Sequence, residues 1–323
     1  MGELSPDAES LVARRAERPA EETLAWVAST LGGRVLSTRR LTGGISAGMD
    51  VVEIERDGSP ELVVLRRYVN DVWLSVEPDL ASREAGLLEH LELHGVAAPR
   101  LLAVDGDGSA SGSVCLVMTH VPGRTVHEPA DRQVWLDGLI TTLLEIHEVP
   151  VPHHLGLRDH DGQMDIDIGL ACPVRFGHPV DEELWAVIAA TWPTVTRRPI
   201  ALGHADYHPG NVLWVDDRVS AVVDWTVACF GQAAADVSYL RLDIALVHGL
   251  EAGDEVLTAY RRIAGEDLPD RPFWDLMAAV RAHGFVDTWW ASYVEFGMTD
   301  LPLARCERRF AEFTDRCRRE LAT

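Results

Sequence analysis

HADYHPGNVLWVDDRVSAVVDW, residues 204–225, holds two alternating apolar runs around Asp216 and Asp217, the pattern of a β-hairpin. Strands antiparallel about a turn at residues 216–218 pair positions whose numbers sum to roughly 434 or 435, so Asn211 lies opposite Val223 or Asp224. An amide oxygen and a carboxylate thus meet at the open end of the hairpin. Hard oxygen donors of this kind suit Mg²⁺, which takes one or two protein groups and completes its shell with water and phosphate oxygens. Asp206 precedes Asn211 on the same loop, where it is placed to accept a proton from an attacking hydroxyl. Taken alone the pattern also fits Asp and Asn side chains capping a Pro-Gly turn.

On the N-terminal side the periodicity changes. SPDAESLVARRA and AEETLAWVAST have apolar residues at helical spacing, and the first 30 residues read as two helices. RVLSTRRLTGG, MDVVEIERDG and PELVVLRRYV are β-rich runs parted by Gly, Asp and Pro, an antiparallel meander. SREAGLLEHLELHG reads as a helix with a glycine stop, and APRLLAVDGDGSASGSVCLVMTHV as a strand, a glycine-rich turn and a more apolar strand. Pro122 and Gly123 then interrupt the pattern, so the expected division is residues 1–121 and 122–323. Beyond the link, DRQVWLDGLITTLLEIHEV, DEELWAVIAATW, AAADVSYLRLDIALVHG, DEVLTAYRRIAG, RPFWDLMAAVRAHGFVDTWWASYVEFG and LARCERRFAEFTDRCRRELA all read as helices, with the hairpin as the one β interruption.

Composition narrows the role. The 29 basic residues are all arginine and stand against 51 acidic ones, a net charge of −22 that disfavours nucleic acid and anionic lipid and permits a cationic ligand. Cys115, Cys172, Cys229, Cys306 and Cys317 are scattered and odd in number, which encodes neither a disulfide framework nor a zinc site. The N-terminus is too charged for a signal peptide and no run approaches a membrane span, so the expectation is a cytoplasmic protein.

The chain order carries more than its parts. A strand, the glycine-rich GGISAG, a second strand, a strand with Arg66 and Arg67, a helix with Glu84, a Pro-Gly link, then His204, Asp206, Asn211 and Asp224 follow one another as in a protein-kinase-like phosphotransferase. HADYHPGNVLW followed by AVVDW resembles the catalytic and metal-binding signature of the aminoglycoside phosphotransferase family, which includes choline-kinase-like and macrolide-kinase-like enzymes. The resemblance covers most of residues 20–300. It implies an α+β, two-lobed fold, with an N-terminal antiparallel sheet and helix that bind nucleotide and a mainly helical C-terminal lobe with an embedded hairpin that binds the acceptor. It further implies an Mg²⁺-dependent enzyme using ATP or GTP. Asp206 matches the catalytic aspartate, His204 the structural histidine of its loop, and Asn211 and Asp224 the metal ligands. The backbone of Gly43, Gly44, Ser46 and Ala47 would cover the phosphates, Arg66 would grip them while paired with Glu84, and adenine would lie against the backbone from Thr119 to Val121.

The sequence also departs from the family pattern. Arg66 stands for the usual strand lysine, Ala205 for a common glycine, and Thr226 for an acidic residue found in many members. Glu89 and Glu92 compete with Glu84 for the ion pair, Arg67 is expected on the solvated face, and Asp236 resembles an aspartate that braces the lobe. Asp243, Asp287, Glu295 and Asp300 offer charge to a cationic small-molecule hydroxyl acceptor such as an aminoglycoside, and Trp289, Trp290, Tyr293 and Phe296 offer aromatic walls. Competing readings are a kinase of a small metabolite (choline-like, sugar or macrolide), a catalytically silent nucleotide-binding module, and a metal-dependent hydrolase built on HxD. The acceptor and the oligomeric state are left open by the sequence.

Overall fold

The computed structural model describes residues 13–41, 47–167, 174–175, 178–179, 181–196, 200–268 and 270–321. By its internal contacts the chain divides into two compact units, Met1–Pro122 and Gly123–Thr323.

In the first unit, helix α1 (Glu21–Leu31) ends on Gly32, whose φ of 67° opens the turn into β1 (Arg34–Arg40). The strands β2 (Ala47–Arg56) and β3 (Ser59–Tyr68) complete an antiparallel meander. After α2 (Asp71–Val76) and α3 (Leu80–Leu93), β4 (Leu101–Asp105) and β5 (Cys115–Thr119) finish a five-stranded sheet in the order β1-β2-β3-β5-β4. Alternation selects the buried face: Val52 and Ile54, Val63 and Leu65, and Cys115 and Val117 pack with Val27 of α1.

The second unit is mainly helical. It contains α4 (Arg132–His147), β6 (Arg158–Asp159), α5 (His160–Asp167), the short pair β7 (Val174–Arg175) and β8 (His178–Pro179), and α6 (Glu182–Thr191). There follow β9 (Ala201–Gly203), the hairpin β10 (Val212–Val215) and β11 (Arg218–Val222), and β12 (Cys229–Gly231). The chain ends with α7 (Ala234–His248), α8 (Leu250–Ala264), α9 (Arg271–Ala282), α10 (Val286–Glu295) and α11 (Leu303–Leu321). Helix α7 is the axis of this unit, packed by α8, α9 and α11 and buried on almost every face from Ala234 to Leu246.

Two expectations are corrected here. The apolar run 271–297 is not one helix, because His283, Gly284 and Phe285 separate α9 from α10 and Gly284 has φ 81°. The hairpin is also not the only β structure, since β9 and β12 pair antiparallel beside it and β6 adds a parallel edge. These strands are two or three residues long, too short for an alternating pattern to show. No helix among the described residues is long and apolar enough to cross a membrane.

Candidate active site

The hairpin register fixes the site in the second unit. Val212 pairs with Val222, a sum of 434, and the Val223 amide donates to the Asn211 carbonyl at 2.9 Å, which places Asn211 across from Val223 and one residue short of Asp224. A bulge between Leu213 and Trp214 shifts the register by one toward the turn, so the open end keeps the pairing that the sequence implies. Both ends of the loop adopt left-handed backbone: Ala205 has φ 64° and Asp224 φ 64°. That conformation is the reason glycine suits position 205, and alanine there stores roughly 1–2 kcal/mol of strain.

Asp206 is 31% exposed at its side chain, so a ligand can reach it. Both of its carboxylate oxygens are held. Tyr239 donates its hydroxyl to Oδ1 at 2.6 Å, and Asn211 donates Nδ2 to Oδ2 at 3.2 Å and to the Asp206 carbonyl at 3.0 Å. Burial, with the Asp206 charge second, pushes the Tyr239 phenol well above its ordinary range, so it stays a proton donor. With its nitrogen tied to Asp206, the Asn211 amide turns its oxygen the other way, which leaves that oxygen for a cation. Asp224 accepts from the Thr226 hydroxyl at 3.0 Å; the departure at Thr226 therefore braces Asp224. One amide oxygen and one carboxylate fit an Mg²⁺ ion that carries phosphate oxygens. Among the described residues no group of three or more His, Cys, Asp and Glu side chains forms a metal cluster, so the hydrolase reading has no ligand set there.

His204 is fully buried. Its Nδ1 accepts from the Asp206 amide at 3.3 Å, which assigns the proton to Nε2 and makes Nε2 the donor to the Val223 carbonyl at 3.0 Å. It ties the Asp206 loop to the strand leading into Asp224 and acts as a positioning group. Asp236 completes the brace: Oδ2 accepts from the His204 amide at 2.9 Å and His147 Nε2 at 3.1 Å, and Oδ1 from the Ala205 amide at 2.8 Å. Burial alone would raise this carboxyl, yet the His147 hydrogen bond and the electrostatic pull of the His147 and His204 rings, with the Ala205 amide, hold it below its usual range.

Of the groups that the sequence offers to an acceptor, Asp243 and Tyr293 are buried and bonded to each other at 2.7 Å, whereas Asp287, Glu295 and Asp300 are exposed. Trp289 packs edge-on to Tyr239 with centroids 5.4 Å apart, and Phe296 stacks on His127 at 4.7 Å. Phe296 also leaves room only for hydrogen at Gly210, where a Cβ would lie 2.8 Å from its ring. Sequence reasoning missed Tyr239, Arg281 and His208. His208 stands two residues after Asp206, with Nε2 3.8 Å from Oδ2, so the motif itself contained the signal.

Burial pushes the Asp243 carboxyl up, against the pull of His208 and the Tyr293 hydrogen bond and with help from the Asp206 charge, and its Oδ1 accepts no hydrogen bond. A native carboxyl that binds its proton more tightly than the unfolded chain loses stability as pH rises from about 4 through the native value. Asp243→Asn keeps an acceptor for Tyr293 and removes the charge. Because the variant does not titrate while the wild-type carboxyl loses stability with rising pH, the stability of wild type relative to Asp243→Asn is expected to fall from pH 4 to pH 7. Thermal unfolding of both proteins at the two pH values checks this; a difference that stays constant or grows with pH would refute it.

In the first unit, Arg66 lies 3.4 Å from Glu84 with both side chains almost fully buried, and Tyr68 donates to Glu84 while its ring lies under the Arg66 guanidinium. Glu89 and Glu92 are exposed, so α3 presents Glu84 to the sheet. Arg67 is not solvated as expected: it is 5% exposed, 3.2 Å from Asp50, and donates to the Glu17 carbonyl at 2.6 Å, because the chain before α1 covers that face of β3. The Thr119 amide donates to the Arg100 carbonyl, while among the described residues Val121 has no backbone partner. Ala47 begins β2 and is buried; Gly43, Gly44 and Ser46 lie outside the described residues, as does Cys172. The other four cysteines are buried free thiols.

Comparison with known proteins agrees with this geometry. Homoserine kinase from Rhizobium etli (strain CIAT 652) is 26% identical over 281 residues, 81% of this chain and 84% of that protein. Homoserine kinase from Azorhizobium caulinodans is 28% identical over 164 residues, and the match spans 50% of its length. Among solved structures, the gentamicin–APH(2″)-IIa complex is similar with a TM-score of 0.60 at 15% identity, covering 92% of this chain and 99% of that one. Macrolide 2′-phosphotransferase from Brachybacterium faecium follows at 0.57 and 19% identity, covering 90% and 97%. These likenesses establish a two-part kinase-like fold. Residues 42–277, more than half of the chain, match the phosphotransferase enzyme family, and with the Asp206 loop and hairpin in place the chain belongs to that family.

Proposed function

We propose that the chain transfers the γ-phosphate of ATP or GTP to a hydroxyl of a small molecule, with Mg²⁺ as the cofactor. The observation that carries this reading is Asp206, partly exposed and held at both oxygens by Tyr239 and Asn211. Asp206 orients the acceptor hydroxyl and takes its proton as the oxygen attacks. Asn211 and Asp224 would hold the ion, which when bound neutralises phosphate charge. His204 and Asp236 fix the loop so that little reorganisation is needed during transfer. In the N-terminal unit, Arg66 with Glu84 would grip the phosphates and the Gly43, Gly44, Ser46 and Ala47 backbone would cover them. The free backbone of Val121 favours it over Thr119 for the adenine edge.

The curated relatives favour a metabolite acceptor over an antibiotic. Their named substrate class, homoserine, is a small hydroxy amino acid, and the negative charge of this chain suits an acceptor with an ammonium group. The silent-module reading is disfavoured by an Asp206, Asn211 and Asp224 set that is complete.

The test is thermal unfolding of wild type and Asp224→Ala with Mg-ATP and, separately, Mg-GTP. Nucleotide at about 100 times its Kd stabilises by about 2.7 kcal/mol, a shift of several degrees. A shift that requires Mg²⁺ and is lost in Asp224→Ala is the expected result. Wild type unmoved by either nucleotide at millimolar concentration would overturn the proposal.

A further inference from the structure

Helix α9 ends beside the Asp206 loop, and its Arg281 is placed differently from its neighbours. Arg241, Arg271 and Arg316, in the same helical layer, are all engaged by carboxylates: Arg241 by Asp275 and Asp254, Arg271 by Asp275 and Glu320, and Arg316 by Asp254 and Glu320. Arg281 is half-buried and has no carboxylate partner among the described residues, in a chain with 51 acidic residues against 29 basic. Its Nη2 donates to the Ala205 carbonyl at 2.7 Å, and its guanidinium lies over the Tyr239 ring, 4.8 Å from the centroid. The carbonyl and the ring hold the fork in place without neutralising it, and its remaining N–H groups are left for another acceptor.

Arg281 lines a cavity together with Gly203, Ala205, Gly231, Gln232 and His160. Asp236 also borders the cavity, but its two oxygens already accept three hydrogen bonds, one of them from His147, so its charge is largely answered. Arg281 and Asp206 are joined through one side chain, since the ring under the guanidinium belongs to the same Tyr239 whose hydroxyl sits on Asp206 Oδ1. Arg281 thus holds the residue before Asp206 and lies over the ring whose hydroxyl holds Asp206 itself, beside the carboxylate assigned to the acceptor hydroxyl.

We propose that Arg281 is a specificity-determining residue that binds a carboxylate of the acceptor, so that the substrates are small hydroxy acids or hydroxy amino acids. This rests on the phosphotransferase reading above. A guanidinium binds a carboxylate through two parallel N–H···O bonds, whereas an uncharged polyol or an aminoglycoside offers it nothing of that kind.

The experiment compares L-homoserine with 3-aminopropanol, which has the same hydroxyl and amine without the carboxylate, and with gentamicin, using wild type, Arg281→Gln and Arg281→Lys. ADP release gives kcat and KM, and the shift with Mg-ATP is recorded for each protein. Wild type is expected to prefer L-homoserine by at least tenfold in kcat/KM. Arg281→Gln is expected to raise the KM for L-homoserine about tenfold or more while kcat and the nucleotide shift change little, and Arg281→Lys to recover part of the loss. If Mg-ATP binds but 3-aminopropanol or gentamicin is phosphorylated as well as L-homoserine, or L-homoserine is not phosphorylated, or Arg281→Gln keeps the wild-type preference, the carboxylate site is overturned and the phosphotransferase reading stands. A wild type without any nucleotide shift overturns both.

Discussion

Asp206→Asn is expected to lower kcat by about 10²–10⁴ while leaving the fold and the nucleotide site in place. The substitution is nearly isosteric, and its two neighbours accommodate it. Asn211 Nδ2 can still donate to the new amide oxygen, and the Tyr239 hydroxyl, which now donates to Oδ1, can instead accept from the new NH₂. What is lost is the negative charge that orients the acceptor hydroxyl and takes its proton. Because Asn211 and Asp224 are untouched, the thermal shift with Mg-ATP should match wild type and the KM for nucleotide should move little. That pattern separates a lost chemical role from lost binding. A variant retaining more than about a tenth of wild-type kcat would show that Asp206 is not the proton acceptor.

The parts of this site that the sequence makes legible are those joined by short covalent paths. Asp206, Asn211 and Asp224 sit on one loop and one hairpin, and the register of a two-stranded ladder follows from its turn. Glu84 is less determined, because Glu84, Glu89 and Glu92 all lie on or near α3 and only the packing of that helix buries one of them. Helix α7 shows where periodicity runs out. Buried on nearly all sides, it has no apolar stripe to mark a face, so the residues facing the Asp206 loop are set by the helices packed around it. Yet Asp236, Tyr239 and Asp243 stand at i, i+3 and i+7, and once Asp236 is placed against the loop the other two share its side. Arg281 lacks even that clue, since it lies 76 positions from the carbonyl it contacts. Arg67 fails for the opposite reason: strand alternation gives its face correctly and says nothing about what covers that face.

The second large effect falls on Asp236, which touches none of the groups assigned to transfer. Its Oδ2 accepts from the His204 amide and His147 Nε2, and its Oδ1 from the Ala205 amide. In Asp236→Asn the new NH₂ must replace one of these oxygens, and either choice sets it against a backbone N–H. Should His147 change tautomer to accept at Nε2, its Nδ1, buried and without a hydrogen-bond partner, would carry an unsatisfied proton. Breaking a buried, hydrogen-bonded charge in this way costs about 3–5 kcal/mol. The native carboxyl is held below its unfolded value, so the stabilisation is fully present above about pH 4 and is lost as the pH falls through the native pKa. The stability gap between wild type and variant should therefore be full at pH 7 and narrow in acid. Activity should fall as well, since Ala205 and Asp224 hold left-handed backbone and the Asp236 bond to the Ala205 amide, together with Arg281 on its carbonyl, keeps Ala205 in that strained conformation. Denaturant unfolding at pH 7 and in acid, with kcat measured under conditions where the variant is folded, gives both readouts. A loss under about 1 kcal/mol, or a gap that does not narrow as the pH falls, would show that the Asp236 charge does not brace the loop.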